Sequence, residues 1–233
     1  GILAVGEKAT GAADPFGLRR AAIGILRIVQ ARAYHLSLSR AVAAALEALG
    51  PSLVRDRAGL QAQVMEFLRG RLKALFGEAF EADLVEAVLA AGMDDVLDAR
   101  QRLEALSEAR RQPEFAPLAL AFKRVANIVE KGESALARPL DPALLSEGAE
   151  RQLAGEVERV KDLVAGHRAR RDYRAALRAL AELKPAVDRF FDEVLVMAED
   201  PALRENRLAL VRRVAELFAG LADFRKIQAE AAA

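Results

Sequence analysis

The chain has no cysteine at all among its 233 residues. That excludes disulfides, thiolate metal sites and a cysteine nucleophile, and it fits a reducing, cytoplasmic setting. Histidine is nearly as scarce, with two residues, His35 and His167, far apart in the sequence. Little is left for imidazole metal sites or acid-base chemistry, and each histidine reads as an ordinary surface or helix-end residue. Long hydrophobic runs are missing too. Arg, Glu or Asp interrupts every apolar stretch well short of the roughly 18 residues a membrane span needs, and no charged-then-apolar leader opens the chain. Nothing is expected to cross a membrane. Charge of one sign is also lacking: 35 Lys and Arg face 34 Asp and Glu, so any nucleic-acid surface must be a local patch.

What is present is helix-forming. Ala, Leu, Glu and Arg dominate, apolar positions recur at three and four, and no segment alternates as a strand. The pattern predicts an all-α helical bundle of about eight or nine helices. Asp14-Pro15 reads as an N-cap before Leu18, Ala22, Ile25 and Val29. Leu38 to Leu49 forms a second stripe that Gly50-Pro51 stops, a candidate boundary. Stripes ending near Gly77 and Gly92 follow, then one through Val96, Leu103 and Leu106. Pro113 and Pro117 bracket a break before Leu118, Phe122, Val125 and Val129, which end at Lys131-Gly132. A loop is expected over 133–141, and Gly166 is expected to close the stripe of Leu153, Val157, Val160 and Val164. Asp172 caps the next helix, Pro185 bends or restarts it, and Phe190, Phe191, Val194 and Met197 continue it. Asp200-Pro201 opens the last helix, bearing Val211, Val214, Phe218 and Leu221. The Ala-rich tail after Gln228 is expected to fray.

Basic residues fall in three groups. Lys123, Arg124 and Asn127 lie within about one turn, where an asparagine amide either reads unpaired base edges or bonds a neighbouring carbonyl. Arg168, Arg170, Arg171, Arg174 and Arg178 form the densest basic run, which reads as a solvated face or a phosphate-binding one. Arg204, Asn206 and Arg207 occupy the first turns of the last helix, where free N–H groups favour anions, and Arg212 and Arg213 extend them. The competing role for Asn206 and Arg207 is structural, with Arg207 pairing Glu199 or Asp200. Asp14, Arg19 and Arg20 read first as a helix start. Phe190 and Phe191 suit core packing for at least one ring, with base stacking open for the other.

Three blocks, in order, carry a resemblance that covers nearly the whole chain. They are Gly6-Glu7-Lys8-Ala9-Thr10-Gly11-Ala12-Ala13-Asp14-Pro15-Phe16-Gly17-Leu18-Arg19-Arg20-Ala21-Ala22, then Phe122-Lys123-Arg124-Val125-Ala126-Asn127-Ile128-Val129, then the hairpin from Val187 through Asp200-Pro201 to Arg204-Glu205-Asn206-Arg207-Leu208. Together they resemble the C-terminal portion of a bacterial glycyl-tRNA synthetase beta subunit. The first block departs from the family at Ala9, Ala12, Ala13 and Gly17, and lacks the family's lysine at position 13. The stretch from Tyr173 to Ile227 is also similar to the anticodon-binding domain of arginyl-tRNA synthetase, with Ala175-Ala176-Leu177-Arg178 in place of its Asp-Ala-Leu-Arg signature.

The resemblance implies a division into residues 1–57, the final helices of an HD-like helical domain, and 58–233, a helical anticodon-binding domain. It implies recognition of the anticodon arm of glycine tRNA, with ATP-dependent glycylation carried out by an alpha subunit. This chain is then expected to be noncatalytic and to hold no cofactor, with ATP used by the parent complex. Glycine tRNA and the alpha subunit are the implied partners, DNA and membrane are not, and the location is cytoplasmic. The sequence has no Gly-rich phosphate loop after a strand and no His-x-Gly-His or Lys-Met-Ser-Lys-Ser signature. Phosphohydrolase chemistry fails for want of His-Asp metal ligands. A second reading stays open, a noncatalytic assembly module that binds the alpha subunit while its arginines merely solvate.

Overall fold

The computed structural model describes residues 16–49, 56–131 and 138–228. Among them it is all-α: ten α-helices, two single-turn 3₁₀ segments at Pro142–Leu144 and Phe224–Lys226, and no strand beyond one isolated bridge between Ser37 and Asp95. The chain divides into two compact units, Gly1–Leu103 and Glu104–Ala233.

The first unit holds α1 (Leu18–Ala31), α2 (Leu38–Ala48), α3 (Arg57–Phe76), α4 (Ala82–Ala91) and the start of α5 (Val96–Arg110). Here α3 packs against α1, α2 and α4. Leu46 of α2 meets Leu60 of α3, flanked by Val42, Leu49 and Val64. The expected cap at Asp14-Pro15 and the stop at Gly50-Pro51 lie outside the described residues. Gly92 ends α4 as expected, with a φ of 136° that other residues rarely adopt. Its carbonyl accepts from Arg102, whose buried guanidinium also reaches the Val88 carbonyl and Asp98. One arginine thus satisfies two carbonyls at the end of α4 that the helix leaves open.

The second unit holds the rest of α5, then α6 (Phe115–Lys131), α7 (Gly148–Ala169), α8 (Tyr173–Ala181), α9 (Lys184–Glu193) and α10 (Pro201–Ala219). Its centre is aromatic. Phe122 of α6 stacks on Phe218 of α10 at 4.5 Å, and Phe224 meets both edge-on at 5.2 and 5.3 Å. Such pairs add roughly 0.5–1.5 kcal/mol each beyond their buried area. Packing of α7 against α8, α9 and α10, and of α6 against α9 and α10, completes the bundle.

Asp172 and Asp200 cap α8 and α10 as expected, accepting from Ala175 N and from Ala202 N and Leu203 N. Three local expectations fail. Pro117 does not mark a break but sits in the first turn of α6, where its missing N–H would have had no intrahelical partner. Gly166 does not close α7, which runs to Ala169. The reversal comes instead from Arg171 at a φ of 56°, where Asp172 N reaches back to the His167 carbonyl. Met197 does not extend the apolar stripe, because α9 ends at Glu193 and Val194 turns extended, leaving Met197 60% exposed. Pro185 restarts the chain as α9 rather than bending α8. The division expected at 57/58 concerns family domains, and the compact units part at 103/104.

Candidate nucleic-acid interface

At the head of α10 the polar side chains are largely committed to the fold. Asn206 is 4% exposed, and its amide forms a two-way clasp with the Asp141 backbone: Oδ1 accepts from Asp141 N at 2.7 Å, and Nδ2 donates to Asp141 O at 3.0 Å. Arg207, 7% exposed, donates from Nε to Glu150 Oε1 at 2.6 Å and from a terminal nitrogen to the Leu195 carbonyl at 2.9 Å. Its partner is therefore Glu150, 57 residues away on α7, and not Glu199 or Asp200. Arg204 is half-buried and donates to the Ala198 carbonyl at 3.0 Å. The structure does not bring Arg204 and Arg207 together toward one phosphate, since Arg207 points inward.

Glu150 is fully buried. It closes a capping box at the start of α7, accepting from the Glu147 N–H at 2.7 Å, and it also accepts from Ser146 Oγ at 3.3 Å. Burial alone pushes its carboxyl up, but the Glu147 N–H and the Arg207 guanidinium more than offset that and hold it below the usual glutamate range.

The basic run from Arg168 to Arg178 spans the end of α7, the turn and the start of α8. Arg170 lies 3.2 Å from His167 Nδ1, and Arg174 pairs with Glu108 at 2.6 Å. Arg168 lies against Gly220, where an added Cβ would sit 1.8 Å from its guanidinium. Arg178 is exposed and makes no hydrogen bond or ion pair among the described residues. Together with Arg174 it edges an open hollow of about 410 Å³ floored by Phe115, Leu118, Leu177 and Ala181. Arg213 pairs with Glu158 at 2.7 Å and Arg212 with Glu216 at 3.5 Å. Arg174 and Arg204 are thus each held by a different neighbour.

The middle of α6 differs. Lys123 and Asn127 are half-buried and Arg124 is exposed, and none of the three forms a hydrogen bond or ion pair among the described residues. Arg124 instead lies over the ring of Phe191 on α9, its guanidinium carbon 4.1 Å from the centroid. Phe190 is fully buried and Phe191 only partly so, meeting edge-on at 5.4 Å. The core ring is therefore Phe190. Sequence spacing did not reveal the Arg124–Phe191 stack, because 67 residues separate its members. Among the described residues no cluster of His, Asp or Glu could hold a metal ion, and no helix is long and apolar enough to cross a membrane.

Residues 1–90 match the glycyl-tRNA synthetase beta subunit family, and residues 118–229 match the DALR anticodon binding domain. The glycine-tRNA ligase beta subunit of Anaeromyxobacter sp. (strain K) is 65% identical over 234 residues, covering 100% of this chain and 33% of the relative. Over its whole length the chain is thus similar to part of a glycyl-tRNA synthetase beta subunit. The corresponding subunit of Myxococcus xanthus (strain DK1622) is 51% identical, with 100% of this chain and 34% of the relative covered. That of Geobacter metallireducens (strain ATCC 53774 / DSM 7210 / GS-15) is 45% identical, covering 98% and 33%. The chain thus spans about a third of the length of the curated beta subunits it matches. The anticodon-domain match contains all eleven candidate residues, from Lys123 to Arg207.

Proposed function

We propose that this chain is the tRNA-binding part of the beta subunit of a heteromeric glycyl-tRNA synthetase, that it grips the anticodon arm of glycine tRNA, and that the alpha subunit carries out ATP-dependent glycylation in the cytoplasm. The match of residues 118–229 to an anticodon-binding domain carries the reading. Lys123, Arg124 and Asn127 support it from within that region, because among the described residues none of them forms a hydrogen bond or ion pair within the fold. Arg178 and Arg168 supply further cationic contacts, with Arg170, Arg171, Arg174 and Arg204 at the margins. Asn206 and Arg207 act from inside, fixing the head of α10. The chain itself performs no chemistry and holds no cofactor.

Phosphate contacts release counterions, so affinity for glycine tRNA is expected to fall with salt at a log-log slope of roughly −0.7 for each contact to unpaired RNA. Arg178→Ala and Lys123→Ala should each make the slope shallower. The second reading, an assembly module for the alpha subunit, draws on the pairing of Arg174, Arg213 and Arg212 with acids. It predicts unchanged tRNA binding in the same variants and loss of alpha-subunit association.

A further inference from the structure

An exposed arginine ordinarily spends its charge on a carboxylate or trails into water. Arg124 does neither: among the described residues it has no ion pair or hydrogen bond, and its guanidinium lies 4.1 Å from the centroid of Phe191. The ring beneath is fixed. Phe191 meets the fully buried Phe190 edge-on at 5.4 Å, and α9 packs against α6, which carries Arg124. A guanidinium stacked on a ring is a planar cation, and Arg124 is exposed to solvent. A second π-system can lie on its outer face. Three residues further along α6, one helical turn away, Asn127 is half-buried with no hydrogen bond to its side chain among the described residues. An amide offers a donor and an acceptor together, which suits the edge of a base already held by its face.

We propose that Arg124 and Phe191 form a stacking platform for one unpaired nucleobase, layered as base, guanidinium and phenyl ring, and that Asn127 reads the edge of that base. This deepens the tRNA-binding reading and rests on it. The platform itself tolerates any base, since every base has a π-face, and discrimination comes from the amide. The role is distinct from phosphate binding: a phosphate contact needs only charge at position 124, whereas a stack needs a plane there and a ring under it.

Two substitutions separate these demands. Arg124→Lys keeps the charge and removes the plane; Phe191→Leu keeps apolar volume and removes the ring. The readout is titration of the chain with glycine tRNA carrying 2-aminopurine at successive anticodon-loop positions, with thermal melts by circular dichroism as a folding control. At one position the wild-type chain should quench the fluorophore, and both variants should abolish that quenching. Both should also weaken binding at least about fivefold, the lower end of what one base–aromatic stack contributes. The salt slope should be unchanged in Arg124→Lys. Asn127→Ala should keep the quenching while narrowing the preference for the native base at that position.

If Arg124→Lys binds and quenches like the wild type, Arg124 is a phosphate contact and the platform is wrong, while anticodon-arm binding stands. The platform is equally wrong if no loop position is quenched although tRNA still binds. If the wild-type chain does not bind glycine tRNA, the functional reading and the platform fall together. Should Phe191→Leu melt early, Arg124→Lys alone decides, because that side chain is exposed and outside the core.

Discussion

Glu150→Ala tests the most consequential buried contact in the second unit. The carboxylate is fully enclosed and receives bonds from the Glu147 N–H, Ser146 Oγ and Arg207 Nε. Removing it leaves Arg207, 7% exposed, with only the Leu195 carbonyl and an uncompensated charge. Breaking a buried pair in this way costs about 3–5 kcal/mol. Urea unfolding followed by circular dichroism should show that loss, and amide hydrogen exchange should locate it in α7 and α10. Replacing both partners with apolar residues, Glu150→Leu with Arg207→Met, should recover much of it, since no stranded charge remains. The acid dependence has a definite sign. Because the folded carboxyl sits below its ordinary value of 4.5, its contribution is complete above that pH and drains away as pH falls through the lower folded value. The variant should lack that acid-sensitive component. A loss under about 1 kcal/mol, or exchange changes confined to other helices, would refute the reasoning.

Phe190→Ala should cost about 3–5 kcal/mol because the ring is fully buried, and Phe191→Ala markedly less; the same unfolding assay gives both, and equal losses would contradict the assignment of the core ring. Asn206→Ala should cost about 1–3 kcal/mol by stranding the Asp141 N–H, since the Asp141 carbonyl keeps its bond from the Leu144 N–H, with faster exchange at the Asp141 amide as the local signature. Gly220→Ala should shift stability by no more than about 0.5 kcal/mol, because the new methyl meets the mobile end of Arg168 rather than backbone. It should nevertheless displace that guanidinium and weaken tRNA binding modestly.

How much was legible in the sequence follows from the range of each interaction. The caps at Asp172 and Asp200 are local, spanning two or three residues, and were readable directly. So was the all-α class, since every stripe repeats at helical spacing. Phe190 and Phe191 were not separable, because three and four residues from Val187 both lie near its face, and packing across α6 and α9 makes the choice. Asn206 and Arg207 looked like surface chemistry at a helix head, yet their partners Asp141 and Glu150 lie 65 and 57 residues earlier. Pro117 and Gly166 misled for a different reason. A breaker residue states a local cost, and position in the helix or tertiary packing can absorb it. The candidate Lys123, Arg124 and Asn127 group was visible as a motif, whereas the ring under Arg124 needed the fold.

The central claim is recognition of an anticodon arm, and the most direct measurement is an equilibrium titration of this chain, by fluorescence anisotropy at fixed salt, against glycine tRNA and against the same tRNA with its anticodon bases changed. Binding to the native anticodon should be tighter, with the difference narrowed by Asn127→Ala. Equal affinity for both tRNAs, or no binding to either while the chain still associates with the alpha subunit, would contradict it.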